Sequence, residues 1–332
     1  MNLHLLLLPR VLDGSVGVTL DAALAANRLR RASGQPDLFT IRRVAPRGRH
    51  AVTAAGLRVG PLDPLAAVGK GDLVVVPGAN AATPPEVEAW LDSAPLRQAT
   101  RWLAAAHDAG AHVAAGCTGT FVAAEAGLLG GRPATTTWWL APLFRQRYSD
   151  VALDLEHMVV SCGRVTTAGA ALAQVDLMLA LISRFGSARL AAACTRYLLI
   201  ERRETQSRYA VLSHLTRQDP FLMKLEKLIE GRLAQPLAVV ELAVAMHVSP
   251  RTLARRVQTA VGLSPLRLVQ RLRTERALQL IEASDLPIDE VAARVGYTDA
   301  ATLRRLLKRN VGASPGALRA QRRPKALRVR AA

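Results

Sequence analysis

One cysteine lies in a glycine-rich turn, where its thiol could act as a nucleophile. Cys117 occupies the run Gly116-Cys117-Thr118-Gly119, between an apolar stretch typical of a buried strand and a segment with helical periodicity. At the N-terminus of a helix the dipole lowers the pKa of a thiol, and backbone amides can hold an anion. The turn therefore predicts either a reactive cysteine or a small-ligand site, and a plain buried cysteine is the alternative.

The residues that would have to assist Cys117 are not in the obvious places. A cysteine nucleophile needs a base to hold its proton and a third group to orient that base. His112 precedes the turn on its own predicted strand and His107 lies on the preceding helix, so neither is an obvious base for Cys117. Asp13, at the first strand–helix turn, is the nearest candidate carboxylate. The sequence around the turn therefore favours ligand binding over catalysis.

A second set of residues could hydrogen-bond to DNA, and it occurs twice along the chain. At a spacing of about 50 residues, two segments repeat a short Glu-aliphatic-Ala helix, a turn, and a second helix with outward arginines. Each unit predicts a helix-turn-helix, whose second helix can enter a major groove and contact base edges. The units span Glu241–Val257 and Glu290–Leu307, and each is followed by a Gly-x-Ser-Pro ending.

Turn and cap residues agree with this interpretation. Gly296 can adopt the positive φ of a tight turn in the second unit. Ser249 and Thr298 stand where N-caps are expected, and Pro250 takes the first helical position of the first unit. Leu266–Ile281 predicts one long helix between the units. Such a helix would fix the two recognition helices, and a separation of about 34 Å would let one chain read two successive major grooves.

The charge distribution predicts an anionic partner for the C-terminal part. The chain has 44 lysines and arginines against 26 aspartates and glutamates. Its last 117 residues hold 22 of the lysines and arginines but only 10 of the aspartates and glutamates. Positive charge is therefore concentrated where the repeated units lie, as nucleic-acid binding requires. An anionic membrane surface is the other usual partner, but no basic amphipathic helix with large exposed apolar residues supports it. A non-specific nucleic-acid-binding protein remains a rival interpretation.

The two sets of residues need different scaffolds. Apolar runs at Leu3–Leu8, Leu73–Val76 and His112–Ala115 alternate with helical segments, which predicts an α/β domain whose parallel sheet is covered on both faces. The predicted helices are Leu20–Leu29, Trp90–Ala109, Phe121–Leu129 and Leu172–Phe185. From Phe221 onward every segment is predicted to be helical. We assign 1–186 to the α/β domain, 187–219 to a linker and 220–320 to an all-α domain. Residues 321–332 form a basic tail without periodicity, which we expect to be disordered.

Composition excludes several other classes of protein. Half of the residues are hydrophobic, which excludes a disordered chain. Cys117, Cys162 and Cys194 have neither paired nor metal-ligand spacing, so we expect no disulfide, no metal site and no cofactor. The apolar run Leu3–Leu8 is too short to span a bilayer and has no basic leader. We therefore expect a cytoplasmic protein.

The segment from Leu237 to Arg319 resembles the DNA-binding domain of the AraC/XylS family. The matching residues are Gly296-Tyr297-Thr298-Asp299, Arg305, Lys308-Arg309, Gly312-Ala313-Ser314-Pro315 and Arg319. Leucines stand at 303, 307 and 318, where the family more often has aromatics, and this swap conserves burial. The resemblance implies that residues 251, 252, 255, 301, 302 and 305 face the groove, although any single arginine could belong to a solvated helix face. The full set of DNA-binding candidates is Ser249, Arg251, Thr252, Arg255, Arg256, Thr298, Asp299, Ala301, Thr302, Arg304, Arg305 and Lys308.

The segment from Leu3 to Ile182 resembles the PfpI/ThiJ branch of the class I glutamine-amidotransferase-like superfamily, which has a flavodoxin-like parallel sheet. The matching runs are Asp72–Gly78, Gly116–Gly119, Ala123–Arg132 and Ala134–Thr136. Catalytic relatives have a histidine after the paired threonines, but this chain has Thr137 and then Trp138-Trp139. The resemblance therefore implies a vestigial nucleophile turn with a ligand pocket. The pocket candidates are Asp13, Gly78, Cys117, Thr118 and Trp138, and we expect one of the two tryptophans to be core.

Together these observations predict a sequence-specific DNA-binding transcription regulator and not an enzyme. The resemblances imply that the α/β domain senses a small-molecule effector or forms a homodimer, while the helical domain binds double-stranded DNA. A cysteine-dependent amidase or deglycase fused to a DNA-binding domain is the alternative. The absence of the histidine counts against that alternative.

Overall fold

The computed structural model of the protein describes residues 1–201, 203 and 219–322. The chain divides into two units, Met1–Ser207 and Arg208–Ala332. Of the predicted linker, residues 202 and 204–218 lie outside the described residues, as do residues 323–332 of the predicted basic tail.

The first unit is built on a mainly parallel sheet. The strands are β1 (Asn2–Leu6), β2 (Thr40–Ala45), β3 (Ala51–Val52), β4 (Arg58–Val59), β5 (Asp63–Pro64), β6 (Leu73–Val76), β7 (His112–Gly116), β8 (Pro133–Ala134), β9 (Ala152–Leu153), β10 (Val159–Cys162) and β11 (Val165–Ala168). The described strands of the sheet run in the order β10-β11-β7-β6-β1-β2-β5, and every neighbouring pair is parallel except the antiparallel pair β10–β11. Two short pairs, β3–β4 and β8–β9, lie outside this sheet.

Alternate residues of each central strand enter two different apolar layers. Val74 and Val76 pack into the layer under the three helices between residues 84 and 125, whereas Leu73 and Val75 pack into the layer under the helices at 13–32 and 174–185. Both faces of the strand are therefore buried, which explains why β6 is apolar at every position. The helices are α1 (Asp13–Ala32), α2 (Pro84–Leu91), α3 (Ala94–Asp108), α4 (Gly119–Glu125), α5 (Ala141–Arg147), α6 (Gln174–Phe185) and α7 (Ala188–Tyr197).

Several predicted boundaries differ from the structure, and the last described helix continues to Arg322, two residues into the predicted tail. The helix predicted at Trp90–Ala109 is two helices, α2 and α3, because Ser93 takes an extended conformation and starts a new helix with Pro95 in its first turn. The linker predicted from residue 187 begins with helix α7, which packs on α1 and α6. The first unit therefore continues beyond residue 186.

The second unit is helical throughout its described length. Its helices are α8 (Pro220–Glu230), α9 (Val239–Ala245), α10 (Pro250–Val261), α11 (Pro265–Ala283), α12 (Ile288–Arg294), α13 (Ala300–Val311) and α14 (Pro315–Arg322). Long helix α11 contacts both α10 and α13. Its C-terminal half joins α12, α13 and α14 in one apolar core, which includes Ala277, Ile281, Val291, Leu303 and Leu318.

In the described part of the chain, no helix combines the length and the apolar character needed to cross a membrane.

Candidate nucleic-acid interface and cysteine turn

The first repeated unit is a helix-turn-helix formed by α9 and α10. The turn is closed by the amide of Val248, which donates to the carbonyl of Ala243 at 3.0 Å, and His247 takes a positive φ of 54°. Ser249 caps α10, because its Oγ accepts a hydrogen bond from the amide of Thr252 at 3.1 Å. The predicted cap at Ser249 is therefore confirmed.

The second helix-turn-helix, formed by α12 and α13, has the same form, but one more residue separates its two helices. The amide of Tyr297 donates to the carbonyl of Ala292 at 2.9 Å, and Gly296 has a φ of 80°. The cap of α13 is Asp299, whose Oδ1 accepts from the amide of Thr302 at 2.8 Å. Our assignment of the cap to Thr298 was wrong.

The repeat spacing gives the physical reason for this correction. Ala243 and Ala292, which accept the turn hydrogen bonds, are 49 residues apart, whereas the caps Ser249 and Asp299 are 50 apart. Thr298 is the additional residue, and it is exposed before the helix begins. The change in spacing was readable from the sequence.

Recognition helices α10 and α13 each bury one face and expose the other. Leu253 and Val257 are fully buried, as are the equivalent Leu303 and Leu307. The candidates Arg251, Arg255, Ala301, Arg304, Arg305 and Lys308 are exposed. Both helices end at a glycine in the left-handed conformation, Gly262 (φ 71°) and Gly312 (φ 72°).

Some of the candidate side chains are already engaged within the protein. The hydroxyl of Thr302 donates to Oδ2 of Asp299 at 2.7 Å and accepts from Nη2 of Arg305 at 3.2 Å. These hydrogen bonds from Thr302 hold the pKa of Asp299 below its ordinary value. Arg256 lies over the ring of Phe221 in α8, with its Cζ 4.5 Å from the centroid. The guanidinium of Arg256 therefore faces the protein.

The cysteine turn in the first unit keeps a strained backbone in a crowded place. Cys117 has a φ of 55° and is 2% exposed. A Cβ on Gly78 would lie 2.8 Å from the Cβ of Cys117, and a Cβ on Gly119 would collide with the carbonyl oxygen of Val76. Both glycines are therefore required by the close approach of β6 to the turn.

Threonines surround this turn. The hydroxyl of Thr118 accepts from the amide of Ala79 at 2.7 Å and donates to its carbonyl at 3.0 Å. The hydroxyl of Thr136 donates to the carbonyl of Cys117 at 2.9 Å. The hydroxyl of Thr137 is buried near the Cys117 thiol and has no hydrogen-bond partner among the described residues. The predicted pocket residues Gly78, Cys117 and Thr118 thus lie together.

Burial dominates the electrostatics of the thiol. It raises the pKa of Cys117 to about 11, although the neighbouring Thr118 and Thr137 act in the opposite direction. Within the described residues, no histidine or carboxylate contributes to this shift. The ring of His112 instead lies 3.0 Å from Oγ1 of Thr166, and burial lowers its pKa to about 4.

The other two predicted pocket residues, Asp13 and Trp138, make side-chain contacts with residues outside the cysteine turn. The carboxylate of Asp13 accepts hydrogen bonds from the hydroxyl of Thr53 and the amide of Ala55, and these hold its pKa below the ordinary value. Trp138 is half-buried and packs edge-to-face against Trp139, with centroids 5.4 Å apart. Trp139 packs on the apolar core, as expected for one of the two tryptophans.

Comparison with known proteins assigns the chain to a family. Residues 242–321 match the model of a helix-turn-helix domain, and residues 20–184 match the DJ-1/PfpI family. HTH-type transcriptional regulator CdhR of Pseudomonas aeruginosa is 30% identical over 233 residues, which cover 68% of this chain and 69% of CdhR. The chain belongs to the HTH-type transcriptional regulators that carry a DJ-1/PfpI domain and an AraC-type DNA-binding domain.

Other members of this regulator family align over more of the chain. GbdR of Pseudomonas aeruginosa is 29% identical over 86% of this chain and 76% of its own length. GlxA of Rhizobium meliloti is 28% identical over 89% and 88%. A putative transcriptional regulator protein from Vibrio parahaemolyticus has a solved structure with 20% identity and a TM-score of 0.50, over 60% of this chain and 98% of that one, which shows a common fold.

The predicted fold and function of this HTH-type regulator are therefore confirmed. It is a DNA-binding transcription regulator with an α/β DJ-1/PfpI domain and an all-α domain that carries two helix-turn-helix units. Sequence reasoning missed Gln174, a buried residue whose Oε1 would lie 2.5 Å from a Cβ on Gly116. It comes 58 positions after Gly116, and nothing in its local sequence indicates that it reaches the cysteine turn.

Proposed function

We propose that one protomer of this regulator reads two successive major grooves with α10 and α13. The observation that carries the proposal is the equivalent capping of the two helices, which exposes Arg255 and Arg305 at the same position of each. Residues in the N-terminal half of a capped helix are the ones that reach base edges in this type of domain. Long helix α11 separates the two helix-turn-helix motifs along the chain.

The exposed side chains at equivalent positions of α10 and α13 suit direct contacts with bases. Arg251 and Arg255 are exposed one turn apart on α10, and an arginine can bind a guanine in a bidentate manner. On α13 the equivalent positions are Ala301, which could contact a thymine methyl, and Arg305.

The remaining candidates fit supporting roles. Arg304 and Lys308 are exposed on α13 and suit phosphate contacts. The candidates that hold the helix N-termini, and so position them, are Ser249, Thr252, Asp299 and Thr302. Thr298 precedes the cap of α13 and is given no positioning role. Arg256 packs on Phe221 and is left out of the proposed surface.

Selection of bound DNA from a random pool tests this proposal. It would use the full chain at about 0.15 M salt, because phosphate contacts dominate binding at low salt. The expected site has two preferred blocks about one helical turn apart, and Arg255→Ala and Arg305→Ala each relax one block. Arg276→Ala is the matched control, since this exposed arginine lies on α11 and bonds Gln279. Binding without any preferred motif would overturn the proposal.

We infer further that the α/β domain binds a small-molecule effector and does not catalyse a reaction. The supporting observation is the Cys117 thiol, which is buried, has a pKa near 11 and, in the described part of the chain, has threonines and no histidine or carboxylate among the groups that shift its pKa. The strained backbone of the turn favours the alternative of a cysteine-dependent amidase or deglycase. Full regulation by Cys117→Ala would discard that alternative, whereas loss of a hydrolytic activity in this variant would support it.

Association through the covering helices of the α/β domain completes the proposal. Leu24 on α1 and Tyr197 on α7 are 51% and 47% exposed, so apolar area is available on these helices. We expect a homodimer, and sedimentation of the full chain across a range of concentrations measures it. A monomer at every concentration would remove this part of the proposal.

A further inference from the structure

A single arginine on the connecting helix touches segments from both halves of the DNA-binding unit. Arg273 lies near the middle of α11, and its Nη2 donates to the carbonyl of Gln235 at 2.7 Å. Gln235 belongs to the loop that follows α8 and precedes the first helix-turn-helix. The Cζ of Arg273 lies 5.4 Å from the centroid of the Tyr297 ring, in the turn of the second helix-turn-helix.

The turn beside Arg273 packs closely against the guanidinium and against the loop before the first helix-turn-helix. Gly296 has a φ of 80°, and a Cβ there would collide with the carbonyl oxygen of Leu233 and lie 2.7 Å from Nη2 of Arg273. Leu233 is only 7% exposed and lies in the same loop as Gln235. The loop before the first helix-turn-helix, the guanidinium of Arg273 and the turn of the second helix-turn-helix are therefore in direct contact.

Apolar packing on α11 is divided between its two sides. Ala277 and Ile281 of α11 form one apolar cluster with α12, α13 and α14, whereas α10, whose Leu253 and Val257 are fully buried, packs on α11 separately from that cluster. Helix α11 contacts both recognition helices, but a long helix used alone as a spacer leaves rotation about its ends open. A contact at its middle that reaches both sides removes this freedom.

The chemistry of the contact suits arginine specifically. The planar guanidinium can donate in its plane to a carbonyl while its face lies over an aromatic ring. A lysine ammonium at this position could keep the charge but could not make both contacts in a fixed geometry. The hydroxyl of Tyr297 and the Nε of Arg273 are buried and have no hydrogen-bond partner among the described residues. Stacking on the Tyr297 ring and the hydrogen bond to the carbonyl of Gln235 are thus the contacts by which Arg273 links the two segments.

We propose that Arg273 is a positioning residue that sets the distance and angle between the two recognition helices, and thereby the half-site spacing that the protein accepts. The inference rests on the proposed reading of two grooves. Arg273 itself need not contact DNA. Loss of the Arg273 side chain would leave each helix-turn-helix able to bind its own DNA block, while the preference for one spacing between the two blocks disappears.

Affinity for DNA with varied spacers tests the inference. Both preferred blocks would be kept, and the spacer between them would be changed one base pair at a time. We expect the native protein to bind one spacing best and Arg273→Met to lose about tenfold or more at that spacing, because simultaneous engagement of two sites depends on geometry. Affinity for single blocks should not change. Arg273→Lys and Tyr297→Leu should give intermediate losses, and Arg276→Ala should behave as native.

A distance measurement without DNA separates this inference from the proposed function. Gln258→Cys and Lys308→Cys place spin labels at equivalent exposed positions of α10 and α13, in a Cys162→Ser background. We expect one narrow distance distribution that becomes broad with Arg273→Met in a protein that still melts cooperatively. An unchanged distribution, or an equal loss of affinity at every spacing, would overturn the role of Arg273. A narrow distribution in a native protein that shows no spacing preference would overturn the two-groove proposal and, with it, the effect on spacing.

Discussion

Gly78 lies directly against Cys117, so that a Cβ on Gly78 would stand 2.8 Å from the Cβ and 3.2 Å from the Sγ of the cysteine. The two residues follow neighbouring parallel strands, β6 and β7, which are in register at Val76 and Ala115. The carboxyl ends of these strands therefore meet with a glycine facing a thiol. This contact explains both the missing side chain at Gly78 and the burial of Cys117.

The contact predicts that substitutions at Gly78 and Cys117 are coupled. Gly78→Ala should lower the free energy of unfolding by about 1–3 kcal/mol, because it overpacks a closed site. Cys117→Gly removes both atoms in the way and suits the positive φ, so Gly78→Ala should cost much less in that background. Urea unfolding followed by tryptophan fluorescence measures this, since all four tryptophans lie in the first unit. Equal costs in the two backgrounds would contradict the prediction.

The burial of Cys117 predicts an unreactive thiol. Because its pKa is about 11, almost no thiolate forms near pH 7.5, and thiolate is the species that alkylating reagents attack. We expect iodoacetamide to modify half-buried Cys162 first in the native protein, and all three cysteines after unfolding in urea. Mass spectrometry of the peptides identifies the modified residue. Fast, selective alkylation of native Cys117 would point to the amidase or deglycase alternative.

His112 should make the first unit less stable at acidic pH. Burial lowers its pKa to about 4, whereas an unfolded histidine titrates near its ordinary value of about 6.5. Between these values the unfolded chain binds the extra proton, so stability falls as pH drops from about 6.5 to 4, by up to about 3 kcal/mol.

The variant His112→Gln isolates this effect. Its free energy of unfolding should depend less on pH than that of the native protein, so the two curves should converge or cross as pH falls. Urea unfolding at several pH values, again by tryptophan fluorescence, provides the curves. Parallel curves across this range would mean that His112 does not titrate differently on unfolding.

The sequence predicted the cysteine turn well because all of its determinants are local. An apolar strand, a glycine pair around Cys117 and a following helix lie within a few residues, and the structure has this strand–turn–helix. The groups that surround the thiol are not local. Thr136 and Thr137 reach it only after α4 and β8 have brought the chain back, and Gln174 arrives from α6.

Asp13 illustrates the limit of such reasoning. The position after the first strand suggested a carboxylate near the turn, and the amide of the preceding Leu12 donates to the carbonyl of Gly78 at 2.9 Å. The partners of the Asp13 side chain, the hydroxyl of Thr53 and the amide of Ala55, were not predicted. No local signal indicates that the loop around residue 53 would fold back to this point. The helical domain was easier to predict, because each recognition helix carries its own buried apolar residues and a local cap, although the cap of α13 is one residue later than predicted.

The N-cap of the second recognition helix gives the last prediction. Asp299→Ala should weaken binding at the second DNA block severalfold and leave the first block unaffected, because the cap holds the N-terminal turn of α13 in shape. Thr298→Ala should change neither, since Thr298 does not cap the helix, and Asp299→Asn should retain binding because asparagine is an equally good cap. The pKa of Asp299 is lowered in the folded state, so the stabilisation is present above the ordinary carboxyl value and is lost as pH falls through the lowered one. Affinities for DNA in which one block at a time is scrambled provide the measurement. A loss with Thr298→Ala that equals the loss with Asp299→Ala would show that the longer turn, and not the cap, positions the helix.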